Sequence, residues 1–328
     1  MRLASFNLEN LDDGPGRGGP PFAERIAVLR PQLQRLDADV LCLQEVDAQR
    51  DRKGRPRRLR ALDRLLEGTP YADFHRAVSA RPESGGPADK HNLVILSRWP
   101  IAARRQLHHD LVPPARYRPV TAEPAASEAG TILWDRPILQ ATLGLPDGRR
   151  LQVVNLHLRA PLAAPIAGQK IGAFAWKSVS AWAEGFFLAS LKRCGQALEA
   201  RRLVDQLFDA EPDALIAVCG DFNAEAQETP LRIVRGDLED TGNGALATRS
   251  LVPLERALPD SQRFSVLHQG RRLMLDHMLV SRALLAFHQA IEVHNEALGD
   301  ELVAYATGSR SPDSFHAPLV ASFRLPGP

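Results

Sequence analysis

The sequence predicts a single domain of the α/β class. Segments with the apolar pattern of strands alternate with helix-like segments along the chain. No internal repeat is visible, and no Pro- or Ser-rich linker divides the 328 residues. With 44% hydrophobic and 24% charged residues, the chain has the composition of a globular protein with a sizeable core. We therefore expect one domain over residues 1–328.

The first part of the chain reads as strand, loop, helix and strand. The Gly- and Pro-rich stretch 14–21 predicts a loop. Residues 22–36 place apolar side chains on one helical face, with Pro31 either kinking the helix or marking its start. Residues 50–60 form a basic loop, and a short helix is expected over 62–66.

The later part of the chain contains a hairpin, a long excursion and a long helix. Pro146, Asp147 and Gly148 form a turn signal between two strand-like runs. Residues 159–185 are rich in Ala, Pro and Gly and exceed an ordinary connection, so we expect an insertion there, either a lid or a plain excursion. Residues 187–208 predict a helix. The predicted strands of the whole chain are 2–8, 39–46, 93–97, 138–145, 151–156, 215–219, 275–280 and 319–323.

Charge, cysteine content and hydropathy narrow the class of protein. The formal net charge is +2, so attraction to a polyanion would have to come from a local cluster of basic residues. The 3 cysteines show no zinc-type spacing and are expected to be reduced. No signal-like segment and no apolar run of about 18 residues is present. A cytoplasmic location with no membrane anchor is the expectation.

Polar side chains recur where apolar strand-like runs end. Asn, Asp, Glu and His are the side chains that coordinate hard cations and move protons, and strand ends are where α/β sheets build their sites. Each of these residues alone is more often a turn former or a solvated group. Their joint occurrence predicts a site. The residues are Asn7, Glu45, Asn155, His157, Asp221, Asn223, Asp276, His277 and His316.

The order of these motifs resembles the endonuclease/exonuclease/phosphatase (DNase I-like) superfamily over essentially the whole chain. GDFNA at 220–224 combines with an upstream Gln44-Glu45, a downstream LDH at 275–277 and HAP at 316–318. The resemblance implies a four-layer α/β sandwich in which two packed, mixed β-sheets are flanked by helices. It also implies metal-dependent hydrolysis of a phosphate ester.

The resemblance places a metal ion at Glu45 and Asn7. Mg²⁺ is the expected ion, with Mn²⁺ as an alternative, because such ions bind through one or two protein oxygens and keep several waters. Asp221 would orient or deprotonate the attacking water, and Asn223 would hold a phosphate oxygen. Asn155 would contribute to the polar floor of the site.

Histidines complete the set that the resemblance implies. His316 would stabilise negative charge as an imidazolium, and Asp276 would fix its tautomer. His157 would assist the leaving group or serve a structural role, and Asn92 would contact phosphate. His277 should face away from Asp276 along its strand and is expected to be structural.

The sequence departs from the family pattern at the last motif. The family usually has Asp before the terminal His, whereas this chain has Phe315 before His316. Asp313 is three residues away from His316 and is not expected to reach the same point. Activity could therefore be weaker or shifted in metal preference, or the protein could be a binding module.

Three functions stay open from the sequence. A nuclease-like hydrolase is favoured. The basic loop 50–60 directly follows the Glu45 strand, where it either attracts a polyanion such as nucleic acid or is simply a solvated loop. A phosphatase or phosphodiesterase for small or lipid phosphates is the first alternative. A catalytically weakened phosphate-ligand binding protein, created by Phe315, is the second.

Overall fold

The computed structural model describes residues 1–14, 20–52, 54–81, 85–237, 242, 244–308 and 311–325. Most of the predicted loop 14–21 lies outside these residues. The helices are α1 (Phe22–Leu36), α2 (Arg60–Leu66), α3 (Val179–Ala210), α4 (Thr229–Arg235), α5 (Arg282–Leu285) and α6 (Glu301–Thr307). Among the described residues, no helix is both long and apolar enough to cross a membrane.

Most strands belong to two six-stranded mixed sheets. The first sheet has the order β15-β16-β1-β2-β4-β3, and the second has the order β11-β14-β10-β9-β8-β5. The strands are β1 (Arg2–Leu11), β2 (Val40–Val46), β3 (His75–Val78), β4 (Asn92–Ser97), β5 (Ile101–Leu107), β6 (Ala115–Tyr117), β7 (Gly130–Ile132), β8 (Ile138–Gly144), β9 (Arg150–His157), β10 (Leu215–Asp221), β11 (Val252–Pro253), β12 (Val266–His268), β13 (Arg271–Leu273), β14 (Asp276–Val280), β15 (His288–Val293) and β16 (Leu319–Phe323). The predicted hairpin is confirmed as the antiparallel pair β8 and β9.

The sandwich of four layers follows from the alternation of side chains along the strands. In β2, Val40 and Cys42 face the core between the two sheets, whereas Leu41 and Leu43 pack with α1 and α2 on the outside. The second sheet behaves likewise, because Ala217 of β10 faces the inner core. The neighbouring residues of β10 pack with α3 and α4. The predicted four-layer fold is confirmed.

Helix α1 has the expected span 22–36, whereas helix α3 begins before the expected residue 187. Helix α1 begins at Phe22 and continues through Pro31, so the proline does not mark its start. Helix α3 begins at Val179, where the Ser178 side chain accepts a hydrogen bond from the Ala181 N–H, so the last part of the expected insertion 159–185 is helical. Gly185 is needed there because a Cβ would lie 2.4 Å from the Ala164 carbonyl oxygen.

Candidate functional site

The candidate site lies where strands of both sheets end side by side. In the second sheet, Asp221 of β10 is in register with His157 of β9 on one side and with Asp276 of β14 on the other. In the first sheet, Asn7 of β1 is in register with Gln44 of β2, the residue before Glu45. The fold thereby brings together polar side chains that are far apart in sequence.

The carboxylate of Asp221 is the centre of the hydrogen bonds at the site. Its Oδ2 accepts from Asn7 Nδ2 at 3.1 Å and from Asn223 Nδ2 at 3.1 Å, and it lies 3.3 Å from His157 Nε2. Its Oδ1 accepts the backbone N–H of Asn223 at 2.8 Å. Burial opposes ionisation, but His316, His157 and the hydrogen bond from the Asn223 backbone N–H hold the pKa of Asp221 well below its usual value. Asp221 is therefore a fixed negative charge.

His316 and Asp276 form a hydrogen-bonded pair next to Asp221. His316 Nδ1 lies 2.8 Å from Asp276 Oδ2, and His316 Nε2 points toward Asp221 Oδ2 at 4.0 Å. Burial favours the neutral imidazole, but Asp276 and Asp221 outweigh it and raise the pKa of His316 well above its usual value. Burial also raises the pKa of the Asp276 carboxyl. We place the shared proton on the imidazole, because two carboxylates face it.

Glu45 occupies a strained position at the end of β2. Its φ is 57°, and the pairing of β2 with β4 shifts register between Leu43 and Val46. Glu45 Oε2 accepts the Asn10 backbone N–H at 2.9 Å, whereas Oε1 lies 3.7 Å from His157 Nε2. Burial raises the pKa of Glu45, but electrostatic interactions, led by those with His157 and including that with the Arg136 guanidinium, outweigh burial and lower it.

Glu9 is a site residue that the sequence analysis missed. The backbone turns into the left-handed region at Glu9 and Asn10, with φ values of 48° and 51°, where the register of β1 against β2 shifts. Glu9 Oε2 accepts the Phe315 backbone N–H at 2.8 Å. Burial raises the pKa of Glu9 despite this hydrogen bond. A carboxylate at a strand end was a usable signal, but the strained turn that orients it has no sequence signature.

A buried arginine holds this strained turn in place. Arg25 of α1 donates to the carbonyl oxygens of Leu8 at 2.6 Å, Glu9 at 2.9 Å and Asn10 at 3.2 Å. Arg25 has no signal in the sequence, because a single Arg in an amphipathic helix normally faces solvent.

His91 and Arg136 form a pair beside Glu45. Arg136 Nη2 lies 3.1 Å from His91 Nδ1, and His91 Nε2 lies 3.0 Å from Asn10 Oδ1. Burial and the Arg136 charge lower the pKa of His91 to about 4, so this imidazole is neutral at pH 7. Burial also lowers the pKa of Arg136. The buried Nε of Arg136 has no hydrogen-bonding partner among the described residues, which leaves a donor for an anionic ligand.

Two predicted substrate contacts have their amides engaged elsewhere. Asn92 Nδ2 donates to the carbonyls of Val46 and Ala88, and its Oδ1 accepts the Ala88 N–H. Asn155 Nδ2 donates to Leu43 and Val94 carbonyls at 3.0 Å each. Its Oδ1 accepts from Gln44 Nε2 at 2.7 Å. Asn155 therefore links the two sheets beneath the site, and Asn92 holds the loop that carries His91.

Asn223 and His277 are each fixed by the protein. Asn223 lies at the site, but its Nδ2 already donates to Asp221 and to the Leu158 carbonyl, and its φ is 47°. This geometry favours a role in fixing Asp221 over the predicted contact with phosphate. His277 is fully buried between Glu255 and the Ala224 carbonyl, at 2.6 and 2.7 Å, which agrees with the structural role expected for it.

Phe315 places its backbone, and not a carboxylate, at the site. Its side chain is buried, with 7% exposure. Asp313 Oδ1 accepts from Gln32 Nε2 at 2.8 Å and from the Ser314 N–H at 2.7 Å, so this carboxylate is engaged elsewhere. The expectation that Asp313 does not replace the usual Asp therefore agrees with its contacts.

One group of three residues and the single carboxylate of Glu45 offer oxygen or nitrogen ligands to a metal ion. Donor atoms of Asp221, Asp276 and His316 lie within 4.8 Å of one another. In this group, however, the Asp276 and His316 atoms are already hydrogen-bonded to each other. Glu45 fits a hard cation better, because one oxygen is anchored by a backbone N–H and the other has no hydrogen-bond donor among the described residues.

Comparisons with known proteins agree with this architecture. A model described as the Endonuclease/Exonuclease/phosphatase family matches residues 4–309. A mannosyl-6-phosphatase from Bacteroides thetaiotaomicron is 15% identical, with a TM-score of 0.60 over 99% of this chain and 100% of that chain. An AP endonuclease from Archaeoglobus fulgidus is 16% identical, with a TM-score of 0.52 over 99% and 100%.

A 3′ phosphatase from Neisseria, solved bound to a product DNA hairpin, has a TM-score of 0.51. It is 16% identical over 99% of this chain and 100% of that chain. At such identities the likeness shows the shared fold. No curated protein matches the sequence.

Proposed function

The chain belongs to the endonuclease/exonuclease/phosphatase family, and we propose that it is a divalent-metal-dependent phosphoesterase with Asp221 at the centre of its site. Family members are hydrolases of phosphoester bonds and generally depend on a divalent metal. The observation that carries the proposal is the convergence of Asn7, His157 and His316 from both sheets on one buried, ionised carboxylate. A purely structural protein has no need of that arrangement.

Glu45 and Asn7 would hold the metal ion. Bound there, a divalent cation neutralises the anionic oxygens of a phosphate ester. Glu45 is ionised and presents one oxygen without a hydrogen-bond donor among the described residues. Among the described residues, Asn7 Oδ1 accepts only the Glu9 N–H, at 2.9 Å. A carbonyl oxygen has a second lone pair, which Asn7 could offer to the metal ion. Mg²⁺ is the ion we propose, with Mn²⁺ as a substitute.

Asp221 would orient the attacking water, and His316 would stabilise charge. A carboxylate with a strongly lowered pKa is a weak proton acceptor, so orientation by hydrogen bonding is favoured over full deprotonation. The His316 imidazolium, fixed by Asp276, presents Nε2 toward the same point and would stabilise charge developing on the phosphate. Arg136 would contribute a further donor, as supported by its buried Nε, which has no partner among the described residues. His157, whose Nε2 faces Asp221 and Glu45, would assist the leaving group.

Nucleic acid is the substrate class we favour. Arg50, Arg52, Arg55 and Arg58 are exposed in the basic loop that follows β2, and none forms an ion pair with a described residue. Arg57 differs, because it is paired with Asp89 at 2.6 Å and bonded to the Ala48 carbonyl. The exposed arginines would attract a phosphate backbone, which makes binding weaken as salt rises.

The test measures hydrolysis of bis-p-nitrophenyl phosphate and plasmid DNA with Mg²⁺ or Mn²⁺. We expect turnover that chelation abolishes and that Glu45→Gln lowers by about 10³-fold or more. Glu211→Gln, at an exposed carboxylate just after α3, is the matched control and should retain wild-type turnover. Metal-independent turnover, or equal turnover in Glu45→Gln, would contradict the proposal.

Salt dependence of DNA binding separates the substrate classes. The triple variant Arg52→Gln, Arg55→Gln, Arg58→Gln should bind DNA more weakly and with a smaller salt slope than wild type. Arg282→Gln, on the first residue of α5, is the control for loss of a positive charge. Wild-type DNA affinity and salt slope in the triple variant would instead favour a small-molecule phosphate ester.

A further inference from the structure

Because residue 315 is Phe, the last motif supplies no carboxylate to the proposed metal ion. The Phe315 side chain is buried, and the nearest acidic residue in sequence, Asp313, is bonded to Gln32 and to the Ser314 N–H. The Phe315 backbone N–H nevertheless points into the site, where it donates to Glu9 Oε2 at 2.8 Å. The carboxylate of Glu9 thus lies beside the backbone of residue 315.

The backbone around Glu9 is built to hold that carboxylate in place. Asn7 Oδ1 accepts the Glu9 N–H at 2.9 Å, and the left-handed φ values of Glu9 and Asn10 turn the end of β1. Arg25 binds the carbonyls of both residues and that of Leu8. A left-handed backbone is unfavourable for a non-glycine residue such as Glu9, so surrounding contacts must hold the turn there.

Glu9 and Glu45 are held in matching ways. Glu45 has one oxygen fixed by the Asn10 N–H, and Glu9 has one oxygen fixed by the Phe315 N–H. The other oxygen of each carboxylate has no hydrogen-bond donor among the described residues. Asn10, whose N–H holds Glu45, directly follows Glu9 in the chain, so both carboxylates flank the same backbone turn. A divalent cation bound between two carboxylates offsets their mutual repulsion.

We propose that Glu9 is the second carboxylate ligand of the metal ion and takes the place of the carboxylate that Phe315 lacks. This inference rests on the proposed function, because it assumes the metal ion held by Glu45. It assigns the metal a pair of carboxylates from β1 and β2, with none from the C-terminal motif.

The test is a Mn²⁺ titration in which free Mn²⁺ is followed by electron paramagnetic resonance. Glu9→Gln should weaken Mn²⁺ binding by about tenfold or more, as Glu45→Gln should, whereas Glu211→Gln should bind as wild type does. Adding Phe315→Asp to Glu9→Gln should restore affinity to within about threefold of wild type, because it returns a carboxylate to residue 315. In Glu9→Gln the new amide oxygen can still accept the Phe315 N–H, which favours folding of the variant.

A second measurement uses the wild-type protein alone and does not depend on any variant folding. Carbodiimide labelling read by mass spectrometry should show that Mn²⁺ protects both Glu9 and Glu45, but not Glu211. Wild-type affinity in Glu9→Gln together with lost affinity in Glu45→Gln would overturn the inference and leave the proposed function standing. Protection of Glu45 without Glu9 would do the same. Wild-type affinity in both variants would count against the proposed function itself.

Discussion

The two sheets build their halves of the site in different ways. The second sheet uses regular strand pairing, because His157, Asp221 and Asp276 are direct neighbours in the registers of β9, β10 and β14. The first sheet uses departures from regular pairing, because Glu9, Asn10 and Glu45 all have positive φ values beside register shifts. Regular pairing suffices for a compact network of buried hydrogen bonds. Orienting carboxylates at the open edge requires a strained backbone and contacts that hold it.

The largest expected effect comes from changing Asp221, in the half of the site that the second sheet builds by regular strand pairing. Asp221→Asn removes the fixed negative charge that orients the water, and one of its carboxylate acceptors becomes a donor facing Asn7 and His157. We expect kcat/KM for bis-p-nitrophenyl phosphate to fall by about 10³-fold or more, with the fold retained by circular dichroism. Asp313→Asn is the matched control, and an equal loss in that variant would contradict the assignment.

The second-largest effect is expected from replacing Arg25, which holds the strained turn at the end of β1. Arg25→Met leaves the carbonyls of Leu8, Glu9 and Asn10 without their donor in a partly buried position. We expect the free energy of unfolding in urea to fall by about 2–4 kcal/mol. Arg35→Met, on the same helix but exposed and paired with Glu296, should change it by less than about 0.5 kcal/mol. An equal loss of unfolding free energy in both variants would show that Arg25 has no special role in holding the turn.

A smaller effect is expected from Asn92→Ala, which distinguishes a structural role of Asn92 from a contact with phosphate. Asn92→Ala removes hydrogen bonds to the Val46 and Ala88 backbone, so the free energy of unfolding should fall by about 1–3 kcal/mol. Turnover by the folded fraction should stay within about threefold of wild type. A large loss of kcat with unchanged stability would instead restore the predicted contact between Asn92 and phosphate.

The smallest effect is a shift in the pH dependence of activity, which depends on His316 and Asp276 in the second half of the site. The pKa of His316 is raised above its unfolded value, so its stabilising contribution is present below pH 6.5 and is lost as pH rises through the folded pKa. Asp276→Asn should move the alkaline limb of kcat/KM down by about one pH unit or more. An alkaline limb at the same pH in wild type and variant would show that another group limits the rate.

Regular elements were the part of the fold that the sequence could predict. Every predicted strand is present, because buried strands show continuous or alternating apolar residues. The edge strands of both sheets, β3, β5, β11 and β15, were missed. Each edge strand is short or carries exposed polar residues, as in the burial pattern of β5, and so lacks the periodic signal of a core strand.

The site divides along the same line. Asp221, Asp276, His157 and His316 were predicted as site residues and do lie together. Asn92 and Asn155 are asparagines in strands, as Asn7 is, and the sequence does not distinguish them from site residues. Only tertiary contacts show that their Nδ2 groups donate to backbone carbonyls. Glu9, Arg25 and Arg136 act through backbone turns and burial that no spacing in the sequence encodes.

The amide pair of Gln44 and Asn155 bears on how much the core can vary during evolution. Asn155 of the second sheet makes hydrogen bonds to Gln44, Leu43 and Val94 of the first sheet. A slide of one sheet across the other by a single residue, about 3.3 Å, would break all of them, whereas apolar contacts tolerate small slides. Related sequences can therefore exchange apolar residues between the sheets while the two halves of the site stay aligned, provided that this amide pair is kept.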